Sequence, residues 1–297
     1  MFKLSKCVIV TCVILAETSC VQVSGGKPIK NESVEAVSKL SLELTEKEVS
    51  RLEKHSANGC VGLLQRGNIN AIFARELDRS LAKAAYDGDL EQVRNLVAQG
   101  ADVNAVGFKG FSILWFAIGL FNVDVFNAFL EMGANPNTLC DDGTSIVPVL
   151  AGWQDSRLLK AALLHGADPD PKLSIHAGKI DTRVKSPFVR SGIPLFDANS
   201  MKAVNLLLDA GADINRAHPV SGETLLLIAV RKHQYRKALA LLELGADFSI
   251  KDLKGIGVAD HIISSRAILK SRSRIRKGMA QLEHWLEENG MVIPGSY

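Results

Sequence analysis

The sequence contains few of the residues from which catalytic and metal sites are built. Its seven histidines are scattered, and neither they nor the five cysteines show the spacing of a zinc site. The Gly-x-Ser-x-Gly, His-Glu-x-x-His and phosphate-loop patterns are all missing. We therefore predict no catalytic residues, no metal, no cofactor and no enzymatic activity. The alternative is an enzyme whose site has no recognisable pattern.

Strong charge and long apolar runs are also missing. The net charge of +3 is too small to indicate a nucleic-acid partner. After the N-terminus no apolar run reaches the length of about 18 residues that a transmembrane helix needs. Hydrophobic residues make up 47% of the chain and charged residues 23%, which is typical of a folded protein rather than a disordered one.

What the sequence does contain is a recurring pattern, Gly-Ala-Asp/Asn-x-Asn/Asp/Ser. It begins at Gly100, Gly133, Gly166, Gly211 and Gly245, so the spacings are 33, 33, 45 and 34 residues. A period in this range indicates stacked structural repeats. The spacing of 45 predicts an insertion of 12 residues, which we expect to form a loop on one side of the stack.

The segments that precede these glycines have the periodicity of amphipathic helices. Residues 90–97, 201–208 and 237–244 each place apolar side chains three and four positions apart. The glycine can adopt a positive φ and end the helix. The Asp or Asn two positions later suits the following turn, because its short side chain accepts a backbone hydrogen bond.

These features resemble the ankyrin repeat over residues 77–263. The partial motif matches are Gly110-Phe111-Ser112-Ile113-Leu114, Pro194-Leu195, and Gly222-Glu223-Thr224-Leu225. The resemblance implies an all-α ankyrin-repeat solenoid of helix-turn-helix repeats with β-hairpin-like turns and a helical cap at each end. We expect the repeats to span residues 76–263, with the insertion at about 171–190.

The N-terminus predicts export. Lys3 and Lys6 precede an apolar stretch at residues 7–16, which is too short to span a bilayer. The ending Thr18-Ser19-Cys20 is similar to the lipobox of bacterial lipoproteins, although Glu17 departs from it. This resemblance implies cleavage after residue 19, lipidation of Cys20 and an outer-membrane anchor facing the periplasm. Plain secretion and a cytoplasmic protein with an apolar start are the alternatives.

The segments outside the repeats have three expected roles. Residues 21–33 are a flexible tether, and residues 34–75 are an N-terminal helical cap or a separate partner-binding segment. Residues 264–297 contain a basic stretch and then a C-terminal capping helix. The basic stretch is either a solvated helix or a surface for anionic lipids or an acidic partner.

The ankyrin resemblance places partner binding on a concave surface, formed by turn tips and first helices. We expect Phe108 in its turn to be exposed, whereas Trp115 and Trp153 either face a partner or fill gaps between helices. Val106, Leu139 and Val220 are further tip residues. The candidate partner-binding residues are Phe108, Lys109, Trp115, Phe116, Phe121, Asn122, Cys140, Asp141, Trp153 and His218.

Two cysteines remain after Cys7, Cys12 and Cys20 are assigned to the signal and the lipid anchor. In an exported protein Cys60 and Cys140 could form a disulfide. Their separation, one before the repeats and one at a turn tip, argues against this pairing.

The function implied by these resemblances is binding to another protein. A lipobox-like start followed by an ankyrin array looks like the envelope immunity lipoproteins encoded beside type VI secretion lipase effectors. That resemblance implies a protein that binds and blocks a toxic lipase. A general envelope scaffold and a host-directed interaction protein are the alternatives, and lipidation at Cys20 distinguishes the last of these.

Overall fold

The computed structural model describes residues 69–119, 122–141, 143–171, 192–268 and 273–295. All of them belong to one compact unit of the chain, Glu46–Tyr297. The expected signal, the tether, most of the N-terminal cap and nearly all of the insertion lie outside the described residues.

The described residues form thirteen α-helices, twelve of which are arranged as six successive pairs. The single helix α1 comes first, and each later pair consists of a first helix and a second helix. The helices are α1 (Ile69–Ile72), α2 (Glu76–Asp87), α3 (Leu90–Ala98), α4 (Leu114–Ala117), α5 (Val123–Glu131), α6 (Ile146–Ala151), α7 (Arg157–Leu164), α8 (Pro194–Asp197), α9 (Met201–Asp209), α10 (Leu225–Arg231), α11 (Tyr235–Glu243), α12 (Val258–Ile268) and α13 (Ser273–Glu288).

Local sequence sets both ends of the second helices. At the N-terminus of α3 the Asp89 side chain accepts from Gln92 N at 3.0 Å, and Ser200 caps α9 in the same way. At the C-terminus the five turn glycines have φ between 80° and 99°. That left-handed conformation ends each helix and is costly for residues with a Cβ.

The pairs stack in register, and each apolar face is buried against the next pair. First helix packs on first helix, as α2 does on α4, and second helix packs on second helix, as α5 does on α7. The core runs through all of the pairs and contains α4, α6 and the inner sides of the second helices. A single pair could not bury its apolar face alone, so stability depends on neighbours.

The last two helices continue this stack. Helix α12 packs on α10 and α13 on α11, and Gly290 ends its helix at φ 90°, as the turn glycines do. The expected boundary between residues 263 and 264 therefore falls inside α12. The chain has no Ala-Asp after Gly290, and the sequence pattern did not include this glycine as a return of the repeat.

Side chains of the recurring pattern link one repeat to the next. Asn104 Oδ1 accepts from Asn135 N at 2.7 Å, and its Nδ2 donates to Gly133 O at 3.0 Å. Asn137 repeats both bonds with Asp168 N and Gly166 O, at 2.7 and 2.8 Å. We call these contacts the asparagine ladder.

The ladder changes at the insertion, where the equivalent residue is Asp170. Here Arg216 of the fourth repeat forms an ion pair with the Asp170 carboxylate and also donates to Asp170 O and Pro171 O, each at 3.0 Å. An arginine thus joins the third repeat to the fourth.

Among the helices that the structure describes, none combines the length and apolar character that crossing a bilayer requires.

Candidate functional site

The turns between repeats form short hairpins, which we call tips and number by the repeat they follow. In the first tip Val106 bridges Ser112, and Gly107 N donates to Phe111 O at 2.9 Å. The second tip is closed by Cys140 N donating to Thr144 O at 3.0 Å. In the fourth tip His218 N donates to Glu223 O at 2.8 Å. These bonds confirm the hairpin-like turns for the tips described.

Adjacent tips are joined through their backbones. Asp141 N donates to Lys109 O at 3.0 Å, and Leu253 N donates to Ser221 O at 3.1 Å. A Cβ on Gly110 would lie 2.9 Å from Asp141 N, and one on Gly222 would lie 2.6 Å from Leu253 N. Both glycines also have a φ of 73°. Only glycine combines this conformation with so close an approach, so these two positions fix how the tips pack.

Each described tip exposes one large aliphatic side chain. Val106 is 55% exposed, Leu139 42%, Val220 71% and Leu253 73%. We call these four residues the tip row. Single exposed apolar residues are common, but these four lie on tips that are joined through the backbone in two pairs, the first with the second and the fourth with the fifth.

The tips also carry charge. Lys109 is exposed, with Nζ 5.8 Å from the centre of the Phe108 ring, and Asp141 is exposed on the neighbouring tip. In the fifth tip Asp252 Oδ1 accepts from Ile256 N at 2.9 Å and from Lys254 N at 2.8 Å. The bond from Ile256 is the main cause of the lowered pKa of Asp252. The tips therefore present apolar side chains next to fixed charges of both signs.

Phe108 is more buried than the sequence led us to expect. Its ring is half-buried and packs against the core, whereas Lys109 beside it is exposed. Burial follows from the turn geometry: Lys109 adopts a left-handed φ of 60°, and Phe108 lies at the start of a 3-10 turn. Phe108 therefore exposes only part of its ring, and Val106 exposes a larger fraction of its side chain.

The aromatic residues of the first helices lie inside the stack. Trp115 is 1% exposed, Phe116 2% and Trp153 7%. The Phe111 ring lies 5.7 Å from the Trp115 ring and 5.2 Å from the Phe116 ring. Of the two alternatives for Trp115 and Trp153, the structure supports the filling of gaps between helices. Phe116 was expected to contact a partner, but it is buried with them.

Asn122 has a structural role that the sequence also signals. Its Oδ1 accepts from Asp124 N and Val125 N, each at 3.1 Å, and so caps α5. Its Nδ2 donates to Gly88 O at 3.4 Å and so contacts the preceding repeat. These bonds occupy its polar atoms, so partner binding is not the main role of Asn122. Phe121 lies outside the described residues.

His218 is a tip residue, as predicted. It is half-buried, with its ring 6.0 Å from that of Phe196. Its Nδ1 accepts from Val220 N at 3.3 Å. The imidazole therefore supports the turn that exposes Val220.

Cys140 is not a free thiol. Its side chain is 5% exposed and disulfide-bonded. The other four cysteines of the chain are Cys7, Cys12, Cys20 and Cys60, all of which precede the described residues. The disulfide at Cys140 was not predicted from the sequence, and its partner lies outside the described residues.

The structure places one serine beside a histidine, but not in a reactive setting. Ser265 Oγ is 3.3 Å from His233 Nδ1, and it donates to His261 O at 2.7 Å. Ser265 is only 3% exposed within α12, so a substrate would not reach it. In the described ranges no three His, Cys, Asp or Glu side chains are grouped as metal ligands.

Sequence reasoning missed Leu253, which is 73% exposed in the fifth tip. The spacing of the tip glycines did indicate this tip, since Gly255 follows Gly222 by 33 residues, as Gly143 follows Gly110. Because the motif after Gly255 is degenerate, the tip before it was not recognised as equivalent to the others.

No protein-family model matches the sequence, and no curated protein matches it. Among solved structures, an ankyrin repeat domain from Acinetobacter baumannii AYE shares 22% identity at a TM-score of 0.53, covering 68% of this chain and 97% of its own. The ankyrin repeat domain of Bcl-3, of the IkappaB protein family, shares 22% identity at a TM-score of 0.53, covering 72% and 86%.

A chain from a complex of a Bdellovibrio bacteriovorus predatory endopeptidase with an immunity protein shares 24% identity at a TM-score of 0.52, covering 68% of this chain and 97% of its own. These similarities confirm the predicted ankyrin-repeat solenoid. At such identities they establish the fold alone.

Proposed function

We propose that this chain is a protein-binding module and that the tip row is its main contact surface. The observation that carries the proposal is the exposure of Val106 and Leu139 on one pair of backbone-linked tips, and of Val220 and Leu253 on another. Residues held in this way lose little conformational entropy on binding. The charges at Lys109 and Asp141 would give such a contact its orientation.

Our more specific proposal is an immunity protein that binds a toxic enzyme and blocks its active site. Its support is the resemblance of the lipobox-like start and repeat array to envelope immunity lipoproteins, together with the fold shared with a chain of the endopeptidase–immunity complex. We propose a lipase as the target, in line with the sequence resemblance. The alternatives are an envelope scaffold and a host-directed interaction protein.

The test is capture from an envelope extract with the full chain tagged at its C-terminus. We expect one partner in stoichiometric amount, whose hydrolase activity falls when the two proteins are mixed. Val220→Asp and Leu253→Asp should release it. Leu164→Asp should not, because Leu164 is equally exposed, at 74%, but lies at the end of α7 away from the tips.

Several weakly bound partners, or one whose activity is unaffected, would contradict the immunity proposal and favour a scaffold. A captured protease in place of a lipase would keep the blocking role and change the target.

We also propose that the protein is anchored in the cell envelope through Cys20. The sequence similarity to a lipobox supports this, and the residue lies outside the described part of the chain. Metabolic labelling with an azide-bearing fatty acid should mark the wild type and not Cys20→Ser. Equal labelling of both would remove the anchor from the proposal and leave secretion as the alternative.

A further inference from the structure

The edge of the array where first helices end and second helices begin carries charges that change sign along the repeats. We call it the graded edge and define it by the residues that lie 8 to 11 positions before each turn glycine, at the start of each second helix. These residues are 89–92, 122–125, 155–158, 200–203 and 234–237. All of them belong to the described part of the chain.

The net charges of the five segments form a regular series. From the first repeat to the fifth they are −2, −1, 0, +1 and +2. In the third segment one Asp and one Arg cancel. The other segments carry charge of a single sign, negative from Asp89, Glu91 and Asp124 and positive from Lys202, Arg236 and Lys237. Of these six side chains Lys237 is partly buried and the others are exposed.

Charges in adjacent repeats lie close enough to affect one another. Arg157 Nε donates to the Asp155 carboxylate at 2.8 Å, and this bond is the main cause of the lowered pKa of Asp155 and the raised pKa of Arg157. Asp124 in the second repeat adds to the shift at Arg157, and Lys202 in the fourth repeat adds to the shift at Asp155. The second, third and fourth segments therefore form one continuous charged edge.

Helix stability does not account for the change of sign. The N-terminus of a helix favours acidic side chains and disfavours basic ones, because its free N–H groups give it a partial positive charge. Glu91 and Asp124 follow this preference in α3 and α5. In contrast, α9 and α11 have no acidic residue in the first turn and carry Lys202 and Arg236 there. A local preference that is broken in this way points to an interaction outside the helix.

The basic end of the edge is not neutralised by the chain itself. Lys202, Arg236 and Lys237 form no ion pair with the described residues. Burial is the main cause of the lowered pKa of Lys237, and the charge of Lys232 adds to it. The free protein therefore holds like charges together at this end, and an acidic surface placed against them would relieve the repulsion.

A charge series that reverses about its middle is complementary to itself after a two-fold rotation. We propose that the graded edge binds a second copy of the chain in antiparallel orientation, with the two-fold axis beside Asp155 and Arg157. The first repeat of each copy then faces the fifth repeat of the other, and the second faces the fourth. A parallel arrangement would bring like charges together. A surface of one sign, such as an anionic membrane, would match only half of the edge.

Tyr86 gives the acidic end an aromatic contact as well. It precedes Asp89 by three residues and is 40% exposed. In the antiparallel pair it meets the cations of the partner copy's fifth repeat, and cations pack favourably on aromatic faces. The tips lie before the first helices and the graded edge lies after them, so this contact leaves the tip row open and is independent of the proposed function.

The first experiment measures the mass of the full chain by sedimentation equilibrium at low and high salt. We expect a dimer at about 20 mM NaCl, with a dissociation constant that rises on the order of tenfold or more by about 0.5 M, because salt screens exposed charges. A monomer at both salt concentrations would overturn the proposal. So would a dimer that salt does not weaken.

Arg236→Glu tests the edge itself, because it lowers the charge of the fifth segment from +2 to 0. We expect this variant to be monomeric at low salt. It also places an acidic residue in the first turn of α11, so its melting temperature should not fall. Lys254→Glu is the matched control, since it makes the same change of charge at an exposed residue of the fifth tip. Dimers of Arg236→Glu as stable as those of the control would contradict the proposal.

The second experiment determines the orientation of the two copies. Unlabelled and isotope-labelled chains are mixed at low salt and treated with a carbodiimide, which joins a carboxylate directly to a lysine. We expect mixed-isotope links from Asp89 or Glu91 to Lys237, and from Asp124 to Lys202. Mixed-isotope links confined to the tips, such as Asp141 to Lys109, would overturn the graded edge as the contact. None of these results bears on capture of a partner by the tip row.

Discussion

Arg216 holds Asp170 across the insertion, although 46 residues separate them in the sequence. The guanidinium donates to the Asp170 carboxylate and carbonyl and to the carbonyl of Pro171. Both side chains of the pair are mostly shielded, at 20% and 22% exposure. One arginine thus replaces at this junction the contacts that Asn104 and Asn137 make elsewhere.

Arg216→Ala should lower the free energy of unfolding by about 2 kcal/mol, because a mostly buried carboxylate loses its charged donor. Arg216→Lys should recover only part of this, since an ammonium group lacks the planar fork that reaches several acceptors. Urea unfolding of the three proteins gives the comparison. Equal stability of the wild type and Arg216→Ala would show that other contacts hold this junction.

Asn137→Ala should lower the free energy of unfolding by about 1–2 kcal/mol, because it removes the two ladder bonds to Asp168 N and Gly166 O. Asn137→Asp keeps the acceptor and loses the donor, so we expect an intermediate loss. Asn95→Ala is the control, since Asn95 is exposed within α3, where alanine favours the helix. Similar losses at positions 137 and 95 would contradict a role for the ladder.

Lys109→Gly should raise the free energy of unfolding by about 1 kcal/mol or slightly less. Lys109 has a left-handed φ of 60°, which costs a residue with a Cβ about 1–2 kcal/mol, and glycine's greater freedom in the unfolded chain offsets part of the gain. Lys254→Gly in the fifth tip should instead destabilise, because Lys254 is not among the positive-φ residues. Thermal melts of both variants test the difference in sign.

Stability should decrease as the pH falls below about 6.5, because of His261. Burial lowers the pKa of His261, and its Nε2 has no hydrogen-bond partner. Glu223, Asp252 and Asp260 oppose the shift, while Arg231 adds to it. A lowered folded pKa means that the unfolded chain binds the proton more strongly. The stabilising contribution of neutral His261 is therefore complete above the unfolded pKa and is lost as the pH drops toward the folded pKa.

Melting temperatures between pH 7.5 and 5.5 measure this effect. The dependence on pH should be weaker in His261→Gln. His284→Gln should behave as the wild type, because the His284 side chain is 73% exposed on α13. A wild-type profile that stays flat over this range would contradict the assignment.

The fold was predictable because its turns are encoded locally. Gly100 and the Asp102 after it specify one helix end and one turn, and the same spacing recurs along the chain. At Asp102 the structure shows the expected bond, with Oδ1 accepting from Asn104 N at 2.8 Å. Gly290 carries the same conformation without the neighbouring Ala-Asp, so the sixth pair was not predicted as a repeat.

The candidate site was less predictable, because the exposure of a side chain depends on which parts of the chain pack against it. Composition identifies Trp153 as apolar but does not show that it belongs to the core of the stack. The disulfide at Cys140 was not predicted for a similar reason, because the distance between two cysteines along the sequence does not show whether they lie close together in the fold. Asn122, by contrast, immediately precedes α5, where a capping residue lies. Its structural role could therefore have been predicted from the local sequence.

The insertion between the third and fourth repeats is held by a described contact at each of its ends. At the start of the insertion Arg216 donates a hydrogen bond to Pro171 O. At its end the Asp197 carboxylate accepts from Gly192 N at 3.0 Å. Contacts at residues 171 and 192 therefore help to position the repeats on either side of the insertion. We therefore expect substitutions within residues 172–191 to leave the contacts of Arg216 and Asp197 in place.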